Sequence, residues 1–78
     1  MQTYISTNIK YLRKLKGITQ EQLAKVCGKG YTAVGNWETG IREPYVVDLA
    51  NIANFFGVSI DDLIKKDLRL NDNEKNSN

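Results

Sequence analysis

The chain has 78 residues, 41% of them hydrophobic, with 11 Lys and Arg against 9 Asp and Glu, a net charge of +2 and no His. That length suits one small domain with a marginal core, since a domain of this size buries only roughly 60% of its unfolded surface. The lack of His and the single thiol at Cys27 exclude an intramolecular disulfide, a Cys/His zinc site and any triad built on an imidazole base.

The charge is unevenly spread. Residues 1–42 carry seven cations against two acids, +5, whereas residues 43–78 carry four cations against seven acids, −3. A basic half beside an acidic half points to one face meant for a polyanion. No apolar run approaches the roughly 20 residues of a membrane span, and the N-terminal residues lack the basic and apolar regions of a signal peptide, so a cytoplasmic protein is expected.

In chain order, Ile5, Ile9, Leu12 and Leu15 or Lys16 recur at near-helical spacing, which predicts a first helix over about Tyr4 to Lys16, stopped by Gly17. The second has an explicit start. Thr19 and Gln22 form a capping box, with Ile18 and Leu23 as its hydrophobic staple. Leu23, Val26 and Cys27 are expected inside, and the helix should end at Cys27–Gly28.

A third helix should begin just after Gly30 and run to Glu38 or Thr39, burying Val34 and Trp37. Its other side carries Tyr31, Thr32, Gly35, Asn36 and Thr39, a stripe without Lys or Glu, which is unusual for a solvated helix face. A fourth follows Pro44, with Val46, Leu49, Ala50, Ala53 and Phe56 at helical spacing and Gly57 as its stop. The fifth repeats the start of the second, with Ser59 as cap, Asp62 at the third position and Val58 with Leu63 as staple. Asp61 and Asp62 suit its N-terminus, and since neighbouring helical side chains point about 100° apart they make a poor acid–base pair. The expected fold is all-α, a compact domain of five helices over residues 1–66, followed by a polar tail over 67–78.

The short connector Gly28-Lys29-Gly30 forces the second and third helices to cross steeply, leaving the third free to protrude. The major groove of B-DNA, about 12 Å wide, admits one such helix. Ile9, Leu12, Arg13, Thr19-Gln20-Glu21-Gln22-Leu23-Ala24, Gly28, Val34, Trp37-Glu38-Thr39-Gly40, Pro44, Leu49, Ile52, Ala53, Phe56-Gly57-Val58 and Asp62-Leu63 together resemble the phage repressor/Cro-type helix-turn-helix family, also called XRE-like. The match runs without a gap over about residues 5–64.

The resemblance implies a lambda-repressor-like domain with its helix-turn-helix at the second and third helices. It implies a sequence-specific regulator of transcription, a repressor bound as a homodimer to a pseudo-palindromic operator of double-stranded DNA, bacterial or phage-encoded and nucleoid-associated. Tyr31, Thr32 and Asn36 match positions that face bases, with Gly35 beside them. Asn36 could pair bidentately with adenine, and the Thr32 methyl could touch that of thymine. Gln20 matches a phosphate contact at a helix start, and Lys10, Arg13 and Arg42 are further candidates. Arg13 and Glu38 match a pair that bridges the first helix to the end of the third. A carboxylate at a helix C-terminus wants a cation in any case.

Three departures stand out: Lys29 where the family is usually apolar, Gly30 in place of a Ser or Thr cap, and Gly35 inside a helix. Gly35 either lets the backbone approach DNA closely or is a tolerated defect. No enzyme, cofactor or metal site is expected, since no nucleophile–base pair or metal cluster is present. The alternative is a protein-interaction module, such as the DNA-binding antitoxin half of a toxin–antitoxin pair. Leu68 and Leu70, expected to be exposed beyond the core, would serve it.

Overall fold

The computed structural model describes residues 3–70. They form five helices, α1 (Ile5–Lys16), α2 (Gln20–Val26), α3 (Thr32–Thr39), α4 (Val46–Phe56) and α5 (Ile60–Lys65), and a last helical turn over 68–70. There is no strand among the described residues. Asn71 to Asn78, the polar end of the expected tail, lies outside them.

Local sequence accounts for most helix boundaries. At α2, Thr19 Oγ1 accepts from the Gln22 N–H at 3.1 Å and Gln22 Oε1 accepts from the Thr19 N–H at 2.8 Å, so two otherwise orphaned donors satisfy each other's residue. At α5, Ser59 Oγ accepts from the Asp62 N–H at 3.0 Å. At α4 the N-cap residue is Tyr45, whose side chain makes no cap hydrogen bond. The Tyr45 N–H instead donates to Asp48 Oδ2 at 3.0 Å, which half-closes a capping box from the other side. Between α2 and α3, Gly28 at φ 67° lets the Lys29 N–H reach back to the Ala24 carbonyl at 2.9 Å, ending α2 in a Schellman turn.

The core lies where the helices meet. Ile9, Leu23, Val34, Ile52 and Leu63 are fully buried, with Trp37, Ala24, Ala53 and Cys27 around them. α3 packs on α1 and α2, while α5 packs on α1 and α4. Burial pushes the Cys27 thiol above its usual pKa, with a smaller push from the Asp48 charge.

Several expected core positions turn out to face solvent. Leu15 is exposed because the chain turns at Gly17 and Ile18 packs on the core in its place. Val26 is exposed because the inner stripe of α2 is Leu23, Ala24 and Cys27. Val46 and Ala50 are exposed because α4 turns Leu49, Ile52 and Ala53 inward.

Leu68 is the reverse case. Expected to be exposed, it is buried in the core, and only Leu70 of that pair faces solvent. The reason is Asn8, a fully buried side chain on the inner stripe of α1. Its Nδ2 donates to the Leu63 carbonyl at 2.8 Å and the Lys66 carbonyl at 2.7 Å, and its Oδ1 accepts from the Leu68 N–H at 3.1 Å. One amide thereby satisfies the end of α5 and folds residues 67–70 back onto the domain.

Candidate nucleic-acid interface

The outer face of α3 is held in place from behind. Arg13 Nε donates to Glu38 Oε2 at 2.6 Å and Nη2 to Oε1 at 3.1 Å, a two-pronged pair between α1 and the last turn of α3. Arg13 Nη1 donates to the Ile18 carbonyl at 2.9 Å, which adds the α1–α2 connection to the same brace. The Glu38 side chain is 3% exposed and that of Arg13 12%. The hydrogen bonds to Glu38 push Arg13 above its ordinary pKa against the opposing effect of burial, so the cation is permanent. Nε and both Nη atoms of Arg13 are thus each engaged within the domain.

Gln20 joins this cluster. Its Nε2 donates to Glu38 Oε1 at 3.0 Å, and its amide lies over Gly35, where an added Cβ would stand 3.5 Å from Oε1. That spacing is ordinary contact. Gly35 is therefore roofed by Gln20 rather than bare, and the α2 start is laid directly against the middle of α3.

On the outward side, Tyr31 and Thr32 are exposed at the first turn of α3, with Tyr31 preceding the helix in αR conformation. Asn36 follows one turn later, half-buried. Among the described residues none hydrogen-bonds its side-chain amide, whereas Thr39 turns its hydroxyl back to the Gly35 carbonyl at 2.9 Å. The Arg42 N–H donates to the Asn36 carbonyl at 3.3 Å. Asn36 and Arg42 then line one groove of about 370 Å³ together with Lys29, Trp37, Tyr45 and Asp48. Lys10 is exposed on α1 and lines a different groove with Lys14 and Glu38. Tyr31, Thr32, Asn36 and Arg42 thus lie along α3 and its exit, Gln20 and Gly35 meet at its middle, and Lys10 stands to one side.

Residue patterns alone missed a second pair. Asp48 is buried, and Lys29 Nζ lies 3.6 Å from its Oδ1 and 5.2 Å from the centre of the Tyr45 ring. This accounts for the departure at position 29. A carboxylate buried at the start of α4 needs a cation, and the turn supplies it. The signal was present as an acid three residues beyond Tyr45, at the third position of a helix.

The helix-turn-helix family matches over residues 9–63, more than half of the chain. The chain is a helix-turn-helix protein of the XRE type. It is 38% identical over 72 residues to the HTH-type transcriptional activator BcrR of Enterococcus faecalis, covering 90% of this chain and 35% of that protein. It is 42% identical over 60 residues to the HTH-type transcriptional regulator YqaE of Bacillus subtilis, covering 77% and 52%. The chain therefore spans about a third and a half of these two relatives. Among solved structures, the P22 c2 repressor in complex with a synthetic operator matches at a TM-score of 0.76 and 30% identity, covering 81% of this chain and 96% of that one. The fold is lambda-repressor-like. No helix among the described residues is long and apolar enough to cross a membrane.

Proposed function

We propose that this helix-turn-helix protein is a sequence-specific repressor that lays α3 in the major groove and binds a pseudo-palindromic operator as a homodimer, in the cytoplasm and associated with the nucleoid. The observation that carries the reading is the outer stripe of α3. It offers an aromatic, a methyl-bearing hydroxyl and an amide without a protein partner, all uncharged, on a helix whose angle is set by Arg13 and Glu38. Asn36 reads adenine through two hydrogen bonds, Thr32 meets a thymine methyl, and Tyr31 lies against a neighbouring base edge. Gly35 leaves room for the Gln20 amide, which lies over the middle of α3 and brings the start of α2 close to the reading helix.

Gln20, at the N-terminus of α2, Arg42 and Lys10 grip phosphates and set the register. Repression needs only occupancy of the site, which the binding fold supplies. The rival reading as a protein-interaction module loses half of its basis, since Leu68 is core. Binding sites selected from random DNA provide the test. Asn36→Ala should weaken binding to the selected site by about 10- to 100-fold, the scale of one bidentate base contact, and leave random DNA largely unaffected. Equal losses on both would sink the assignment.

A further inference from the structure

The surface of α4 has a property that DNA binding does not use. Between residues 44 and 60 the only charged residue is Asp48, and it is buried. Val46, Val47, Ala50, Asn51 and Asn54 are all exposed, Val46 at 78% and Val47 at 62%. At 100° per residue these five fall within about 140° of the helix circumference, on the side away from Leu49 and Ile52, with Val46 at the border beside the inward Ala53. The outward faces of α1, α2 and α5 carry Lys10 and Lys14, Glu21 and Lys25, and Asp61 and Lys65 respectively. On α4 a whole helix face is free of charge.

Depletion of charge with exposed valines is the composition of an interface centre rather than of solvated surface. A second copy is the occupant that neutrality favours. Across a two-fold axis a patch meets itself, so any charge near the centre would face its own like. A neutral stripe of Val, Ala and Asn is self-compatible where a charged one is not.

We infer that the exposed face of α4 is the surface through which two copies of this chain associate. The inference rests on the proposed homodimeric reading and names its contact. Five residues, with Tyr45 at their edge, fall well short of the roughly 20–30 per partner in a standard interface. The free dimer is therefore weak and concentration-dependent, and two adjacent half-sites on DNA complete it.

Val47→Glu and Ala50→Glu test this, since both positions are exposed and the changes should leave the helical circular dichroism and the melt intact. Sedimentation should show wild-type average mass rising with concentration toward that of a dimer. Each variant should shift the midpoint to at least about tenfold higher concentration, because it sets like charges against each other. On DNA with a single half-site the variants should bind as wild type does, and on two half-sites they should lose the cooperative second step. Unchanged self-association in both variants would overturn the assignment of this face. So would a wild type that stays monomeric both free and on two half-sites, which would give the face to a different protein. The sedimentation arm involves no DNA, so a failure to bind DNA would count against the proposed function alone.

Discussion

A polar side chain with no exposure has to find a partner for each atom it brings in, and Asn8 finds three, all on backbone groups of residues 63–68. Replacing it leaves two carbonyls and one N–H without partners. Asn8→Ala should therefore cost about 3 kcal/mol, and Asn8→Leu should recover little of that despite restoring volume, because the orphaned backbone groups remain. Urea titrations of both variants would check this. A fully rescued Asn8→Leu would show that packing rather than hydrogen bonding is at stake. Asn8 was illegible in sequence because a polar residue at spacing 5, 8, 9, 12 looks like a fault in an apolar stripe, and its partners lie 55–60 residues away. Glu38 was legible for a local reason, as a carboxylate at a helix C-terminus requiring a cation. Glu38→Gln should cost about 2 kcal/mol of stability, the loss of charge on a hydrogen-bonded pair. It should also weaken DNA binding by releasing α3 from Arg13. Thermal melts and binding isotherms read the two effects separately.

Among the elements, α2 and α5 were the easiest to place, because Thr19–Gln22 and Ser59–Asp62 encode their starts in four residues. The connector and α3 held the uncertain glycines, and their surroundings now separate them. At Gly35 an added Cβ would meet only the flexible end of Gln20 at 3.5 Å. Gly35→Ala should thus stabilise the free domain by about 1 kcal/mol, the helix propensity difference, raising Tm by roughly 4–8 °C. If DNA affinity falls while Tm rises, the glycine is kept for the groove. If both rise, it is a tolerated weakness. α4 was phased wrongly at Val46 and Ala50 for a physical reason. Apolar periodicity locates an inner face by contrast with a polar one, and α4 has apolar residues on both sides. The feature that blurred the reading is the one that makes its outer face unusual.

Across the whole molecule, charge is sorted by function. The cations Lys10 and Arg42 stay exposed, Arg13 and Lys29 are committed to internal carboxylates, Asp61, Asp62 and Asp67 pair with nearby cations, and Glu43 lines the same groove as Arg42. Net charge alone, at +2, hides this. Arg42→Ala should weaken binding to all DNA sequences alike and lower the slope of log affinity against log salt by about 1, the signature of one lost phosphate contact. Fluorescence anisotropy over a salt series would measure it, and an unchanged slope would remove Arg42 from the interface.

Asn8 has a consequence beyond stability. The Tyr4 N–H also donates to the Ile64 carbonyl at 2.9 Å, so residues 4–8 are fastened to residues 63–68 by four hydrogen bonds. The first and last parts of the described fold are thereby closed onto each other along one edge, where α1 and α5 lie side by side, so opening either part exposes the other.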